Sequence, residues 1–201
     1  MLLGKGEDSL NEAAVEAERP SLLYPQVLAE AFRRTGDTHG FAVTAAGADA
    51  LSSSVVAWPA FIDSADALAR LKKRYRLIVL SNVDDGSFSE SDERLGHPFD
   101  LVLTAETVGS YKPSPRNFTV LLERVGEVGV ADARLLHVAQ SPFHDHVPAR
   151  MARLTSVWIN RRHDVPGWGA TPETDGEVAP AWEFSSMAAF TDAVDEAWAL
   201  R

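Results

Sequence analysis

The clearest strand in this chain is the apolar run Leu77-Ile78-Val79-Leu80, which Ser81 and Asn82 follow directly. A continuous apolar run without polar alternation is typical of a strand that is buried on both faces of a parallel sheet. Ligands of open α/β sheets bind beyond the carboxyl ends of the strands. The run therefore predicts a buried strand that places Ser81 and Asn82 at a binding edge.

The chain after residue 60 alternates between strand and helix patterns. Further apolar segments predict strands at residues 99–103, 134–139 and 156–159. Helical spacing predicts helices at residues 63–73, 115–125, 147–154 and 186–200, with N-caps at Ser64 and at Ser185 or Ser186. Such alternation predicts an α/β fold, with a Rossmannoid parallel sheet and helices on both faces.

The first 60 residues have a different pattern. They are rich in alanine and glutamate, and helical spacing recurs at residues 10–17, 22–34 and 45–56. We therefore divide the chain into a helical region, residues 1–60, and an α/β core, residues 61–201. Within the core, the Gly-, Pro- and acid-rich residues 164–181 are predicted to form a surface loop.

Composition restricts the classes of function. The 201 residues include 29 acidic and 19 basic ones, for a formal net charge of −10. This balance argues against general nucleic-acid binding, which needs basic residues to replace counterions on the phosphates. The absence of cysteine excludes disulfides, thiolate metal sites and cysteine nucleophiles. Because no apolar run reaches the roughly 20 residues of a membrane span, we predict a cytoplasmic protein without membrane contact.

Polar side chains follow two of the predicted strands. The hydroxyl of Ser81 and the amide of Asn82 can hydrogen-bond a carboxylate or phosphate oxygen, although the pair also suits the cap of a turn into a helix. Lys112 follows the next strand, within the turn of residues 109–115. It can direct a fixed positive charge into a cleft, and an exposed loop lysine is the alternative interpretation.

A third polar cluster follows the strand after that. It consists of Gln140, Ser141, His144 and Asp145. Asp145 can pair with Lys112, and Gln140 and Ser141 are candidate substrate-binding residues. His144 is a candidate general base, because an unperturbed imidazole titrates near neutral pH. A hydrolytic triad of Ser141, His144 and Asp145 is disfavoured, because residues so close in sequence do not easily form the relay.

Two further features are a cluster of histidines and a tyrosine in the helical region. The histidines His137, His144 and His146 cluster, but a polar loop explains them better than a zinc site does. Tyr24 lies between two prolines of the helical region. We predict that it faces the site and shapes an apolar pocket.

The order of these motifs resembles the haloacid dehalogenase superfamily. Three motifs match the order of its active-site motifs. They are a Ser-Asn pair after one strand, Lys112-Pro113 after the next and a polar cluster ending in Asp145 after the third. The likeness is to the type II 2-haloacid dehalogenase-like branch, whose helical cap the first 60 residues resemble. It extends through residues 16–25, 108–118 and 157–162.

The resemblance implies hydrolase chemistry through a covalent ester. In that superfamily an aspartate at the end of the first core strand attacks the substrate. Dehalogenases displace halide without a metal, and phosphatase branches attack phosphorus with magnesium. By resemblance, Ser81 and Asn82 hold a carboxylate or phosphoryl oxygen. Lys112 neutralises the nucleophile and the developing charge, and Asp145 anchors Lys112 or orients water.

The chain departs from this pattern in two places. No apolar strand ending in aspartate precedes the helical region, so the first core strand and its nucleophile are predicted to be missing. Gln140 stands where phosphatase relatives have the first carboxylate of their metal-binding motif, and a neutral amide is a poor magnesium ligand. We therefore expect no metal and no cofactor.

Loss of a central strand exposes the edges of its two neighbours. We expect the chain either to close the gap between them or to form a homodimer through them.

The expected function is that of a metal-independent hydrolase related to 2-haloacid dehalogenases, which takes a small anionic organic acid. Without the nucleophilic aspartate, we expect this chain to be inactive. Two alternatives are a homologue that binds a small molecule or partner without turnover, and a pocket that performs acid–base chemistry without a covalent step. In the second alternative, the candidates are Lys112, His144 and Asp145.

Overall fold

The structure of the chain, a computed structural model, describes residues 5–165, 171–174 and 178–200, with side chains from Leu10 onward. The first four residues of the predicted helical region and parts of the predicted loop at 164–181 lie outside the described residues. No helix within the described ranges is both long and apolar enough to cross a membrane.

Three helices that pack together begin the described chain. They are α1 (Lys5–Glu18), α2 (Tyr24–His39) and α3 (Ala45–Ser53). Val15 of α1 contacts Tyr24 and Val27 of α2 in a buried cluster, because apolar residues recur on the facing sides of both helices. All three helices lie where the sequence predicts them, but the third is shorter. A 3₁₀ turn, Val55–Ala57, follows it where the helix was expected to continue to residue 56.

The remaining chain alternates strands with helices, which confirms the predicted α/β class. The strands are β1 (Ile78–Ser81), β2 (Leu101–Thr104), β3 (Leu136–Ala139), β4 (Thr155–Ile159) and β5 (Trp182–Phe184). The helices are α4 (Ser64–Lys72), α5 (Asp85–Leu95), α6 (Ala105–Val108), α7 (Pro115–Arg124), α8 (Val147–Met151) and α9 (Met187–Ala199). One π-helical turn, Pro142–His146, lies directly before α8.

The sequence locates most of these elements. β1 to β4 coincide with the apolar runs, whereas β5 is not predicted because its three residues are half or fully exposed. Ser186 accepts a backbone hydrogen bond at the start of α9, which confirms that cap. The predicted Ser64 cap is wrong: Ser64 is already helical, and Asp63 occupies the N-cap position, where its carboxylate pairs with Arg161.

The strands form two parallel sheets, β1-β2 and β3-β4-β5. Within the described part of the chain, no ladder joins β1 to β3. Leu103 of β2 and Val157 of β4 are fully buried, whereas β1 is half-buried throughout and Leu136 of β3 is 40% exposed. Strand pairing among the described residues therefore does not close the gap that the sequence suggests. The homodimer stays a prediction.

The helical region covers the carboxyl ends of the strands. Tyr111, in the loop after α6, donates its hydroxyl hydrogen to the Leu22 carbonyl at 2.7 Å. Tyr111 and Ala105 also belong to the buried cluster around Val15. Polar residues at the strand ends therefore lie between the helices and the sheets. The domain division at residue 60 stays a prediction.

The difference in burial between β2 and β3 predicts that two matched substitutions lower the free energy of unfolding by different amounts. We expect Leu103→Ala to lower the free energy of unfolding by about 2–5 kcal/mol, because it leaves a cavity in a buried strand. We expect Leu136→Ala, on the open edge strand, to cost about 1 kcal/mol or less. Urea unfolding followed by tryptophan fluorescence measures both. Equal losses would show that β3 is covered in solution.

Candidate functional site

The candidate site lies where β1, β2 and β3 end. Ser81 closes β1 and lies opposite Thr104 in the ladder. Asn82 follows it, Lys112 comes from the loop after β2 and α6, and Asp145 comes from the π-helical turn after β3. The parallel direction of each pair of strands brings these chain segments to one edge, as the sequence predicts.

Lys112 is buried at the candidate site and is not the exposed loop lysine of the alternative interpretation. It is 8% exposed, and its Nζ donates to Asp145 Oδ1 at 2.7 Å and to the Leu80 carbonyl at 2.8 Å. The predicted pairing of Lys112 with Asp145 is therefore confirmed. An ammonium group has three N–H donors, so these bonds leave one N–H for a ligand.

Asn82 orients the lysine loop. Its Oδ1 accepts from the Lys112 backbone N–H at 2.7 Å, and its Nδ2 donates to the Lys112 carbonyl at 2.9 Å. These two bonds fix which end of the amide is oxygen and which is nitrogen. The same Nδ2 lies 3.3 and 3.4 Å from the two carboxyl oxygens of Glu16. Asn82 therefore links the loop of Lys112 to helix α1.

Asp145 remains ionised although it is buried. Burial alone would raise its pKa, but the positive charge of Lys112 and a hydrogen bond from His137 Nε2 at 3.1 Å hold the pKa of Asp145 well below its usual range. Charge-assisted hydrogen bonds of this kind are stronger than neutral ones. The carboxylate of Asp145 is thus committed to anchoring Lys112 and His137.

Glu16 lies at the candidate site, and the sequence interpretation did not single it out. Its side chain points from α1 to the strand ends and is 4% exposed. Burial, and after it the charge of Glu12, raise the pKa of Glu16 to about 9, so that its carboxyl group is protonated at neutral pH. The sequence feature that could have identified Glu16 is its position as the single acid within the small apolar run of residues 13–17. It lies next to Val15, which is fully buried.

His144 faces this carboxyl group as a neutral imidazole. Its Nε2 lies 3.9 Å from Glu16 Oε2, and its Nδ1 lies 3.0 Å from Ser141 Oγ. Burial lowers the pKa of His144 to about 4, so that the ring is uncharged near pH 7. A neutral imidazole can accept or pass a proton, as the general-base interpretation requires.

Three other candidates are Gln140, Ser141 and Tyr24, and each is exposed or bonded within its own element or layer. Gln140 has an exposed side chain, and its backbone carbonyl accepts from Trp158 Nε1 at 2.9 Å. Ser141 caps the π-helical turn by accepting from the His144 backbone N–H. Tyr24 is buried and donates to Glu12 at 2.8 Å, so it supports the helical layer beside Glu16.

The triad and zinc alternatives are not formed. Ser141 contacts His144, but Asp145 contacts Lys112 and His137 instead of His144. His146 bonds Ser156 and a backbone carbonyl. The three histidines therefore have separate partners.

The described donor set does not fit a magnesium ion. Magnesium needs oxygen ligands in near-octahedral arrangement, usually with one or two carboxylates. Asp145 already accepts hydrogen bonds from Lys112 and His137, and Gln140 is exposed. In the ranges that the structure describes, no group of three or more His, Asp or Glu side chains is placed to hold a metal.

The depressed pKa of Asp145 predicts acid-sensitive stability. Its stabilising charge is fully present above the pKa of an unfolded aspartate, about 3.9, and is lost as pH falls below that value. We expect Asp145→Asn to cost about 3–5 kcal/mol at pH 7, because it leaves Lys112 buried without its counter-charge. The difference from wild type is expected to shrink between pH 5 and pH 3 in urea titrations.

The exposed Asp132 provides the matched control. Asp132→Asn is expected to unfold like wild type at both ends of this pH range. An Asp145→Asn difference that does not change with pH would contradict the prediction.

Comparisons with known proteins identify the fold. No protein-family model matches the chain. A segment of 86 residues, 43% of the chain, is 37% identical to the phosphoserine phosphatase of Thermus thermophilus and spans 30% of that enzyme's length. The structure also superposes on the L-2-haloacid dehalogenase of Xanthobacter autotrophicus, with a TM-score of 0.76 and 20% identity over 94% of this chain and 84% of that one.

A third similar protein is the HAD-hydrolase YfnB of Bacillus subtilis, in a structure with bound magnesium. Its TM-score is 0.68 at 15% identity, over 95% of this chain and 81% of that one. The agreement with both solved structures lies in the order and packing of the elements, since sequence identity is low. The chain has the haloacid dehalogenase fold.

Proposed function

We propose that this chain is a haloacid dehalogenase-like hydrolase domain whose site takes a small organic acid without a metal ion. The observation that carries the proposal is the buried Lys112 at the carboxyl edge of the sheets, with one N–H left for a ligand. The fold shared with L-2-haloacid dehalogenases supports it. The poor fit of the described donors to magnesium supports the metal-free form of the proposal.

Each site residue has a role in this proposal. Lys112 supplies positive charge to the ligand's carboxylate, and Ser81 supplies a hydroxyl donor at the end of β1. Asn82 positions Lys112 by accepting a hydrogen bond from its backbone N–H, and Asp145 does so by accepting one from its ammonium group. Fixed donors in a buried site stabilise an anion more than the same donors do in water.

The covalent step is where this chain differs from the hydrolases it resembles. Among the described residues, the aspartate in contact with Lys112 is Asp145, and its carboxylate already accepts from Lys112 and His137. A carboxylate held by two donors is a poor nucleophile. We therefore propose that the 201-residue chain binds its ligand without displacing a leaving group.

A second candidate function rests on a separate observation. The protonated Glu16 and the neutral His144 face each other at 3.9 Å. A neutral acid beside a neutral base is suited to proton transfer. This supports non-covalent acid–base chemistry as the alternative to a site that only binds.

The proposed partner is therefore a small anionic molecule, with no role for nucleic acid or membrane. We also propose a cytoplasmic location, because the cysteine-free composition suits a reducing compartment.

The binding role of Lys112 is tested with 2-chloropropionate as a probe. Wild-type protein is expected to bind the anion in calorimetric titration at pH 7.5. Lys112→Ala is expected to weaken binding by about tenfold or more, since a hydrogen bond to a charged group contributes about 1.5–3 kcal/mol. The exposed Lys73 provides the control, and Lys73→Ala is expected to bind normally. A folded Lys112→Ala protein that binds 2-chloropropionate as tightly as wild type would contradict the proposal.

The absence of turnover is tested on the same probe. We expect purified protein to release no chloride from 2-chloropropionate above the rate in buffer, because the described aspartate in contact with Lys112, Asp145, is already held by two donors. Ion chromatography measures the chloride. Chloride release that persists through purification and is lost in Lys112→Ala would show that the chain is an active dehalogenase.

A further inference from the structure

His137 of β3 is a buried histidine that lies outside the proposed ligand contacts. Its side chain is 10% exposed, and its Nε2 lies 3.1 Å from Asp145 Oδ1. Because an ionised carboxylate has no hydrogen to donate, His137 Nε2 is the donor in this bond. The bond therefore fixes the imidazole in a form that carries a hydrogen on Nε2.

Aromatic neighbours restrain the imidazole ring of His137. Phe118 of α7, which is 2% exposed, packs edge-to-face against it, with the ring centroids 5.4 Å apart. The buried ring of His146 has its centroid 6.5 Å from that of His137. Side chains packed in this way keep their rotamers, so the packing directs Nε2 toward Asp145.

His137 and Lys112 donate to the same oxygen of Asp145. Lys112 Nζ lies 2.7 Å from Asp145 Oδ1, and it also donates to the Leu80 carbonyl. A carboxylate can accept at both of its oxygens, so a rotated Asp145 could take a second N–H of Lys112. That rotation would break the bond from His137. The histidine therefore opposes the arrangement in which Lys112 has no N–H left for a ligand.

We propose that His137 is a positioning residue, which holds the Asp145 carboxylate so that Lys112 keeps one N–H for the bound organic acid. This inference rests on the proposed function, because it needs an anion at Lys112. His137 acts through Asp145 and does not itself contact the ligand. The binding site then includes a side chain from within β3, behind the carboxyl edge.

The test is the affinity for 2-chloropropionate at pH 7.5, measured by calorimetric titration. His137→Leu keeps an apolar side chain against Phe118 but removes the N–H donor. Its dissociation constant is expected to rise about threefold to tenfold, as for the loss of one ordinary hydrogen bond. His137→Gln places an amide N–H as many bonds from Cβ as Nε2 is in histidine. It is expected to bind within about twofold of wild type.

A double-mutant cycle separates positioning from a general effect on packing. In the Lys112→Ala background, titrated at higher ligand concentrations, His137→Leu is expected to change the dissociation constant by less than about twofold. The reason is that the residue through which His137 acts is then missing. A merely structural role would weaken binding by the same factor in both backgrounds.

His97→Leu is the matched control. His97 Nδ1 also bonds an aspartate, Asp92, at 2.8 Å, but its side chain is 68% exposed and it lies just after the end of α5. This variant is expected to bind 2-chloropropionate like wild type. Circular dichroism verifies that each variant is folded.

Three results would overturn the inference: wild-type affinity in His137→Leu, a loss of threefold or more in His137→Gln, or equal losses in both backgrounds. If His137→Leu does not fold, the affinity of His137→Gln still decides. In each case the proposed function stands as long as Lys112→Ala weakens binding. Absence of binding by wild-type protein would overturn the proposed function, and the inference with it.

Discussion

The buried ion pair between Lys112 and Asp145 connects the two sheets at their open edges. On one side the Lys112 ammonium also donates to the Leu80 carbonyl of β1, and on the other side Asp145 accepts from His137 of β3. No described ladder joins these strands, so the side chains provide a connection that backbone pairing does not. The ion pair that positions Lys112 thus also links β1 to β3. A substitution in either residue is therefore expected to change both the stability of the fold and the properties of the candidate site.

The helical layer converts this polar edge into a site with unusual charge states. When α1 and α2 pack over the strand ends, Val15 and Glu16 are buried together, although only Val15 gains from leaving water. Glu16 responds by keeping its proton, and His144 by losing its own. The energetic cost of burying these groups therefore produces a neutral acid and a neutral base beside a fixed cation.

Much of this arrangement could be predicted from residue order. The run from Leu77 to Leu80 is apolar throughout and so predicts a strand with the following polar residues at its end. The strand is confirmed, although β1 is half-buried and not buried on both faces as predicted. The pairing of Lys112 with Asp145 follows from the same rule applied to the following strands. β5 could not be found this way, because Trp182 and Glu183 are exposed and the segment lacks the apolar run that marks the other strands.

By itself, the sequence determined the α/β alternation and the chain segments that meet at the carboxyl edge, because both follow from local periodicity and the direction of parallel strands. Only the tertiary structure decided that Asn82 binds the backbone of Lys112. It also decided that Glu16, 66 residues before Asn82 in the chain, contacts the Asn82 side chain from helix α1. Such contacts depend on how helices cross strands. A protonation state depends on burial, and burial is a property of the packed chain.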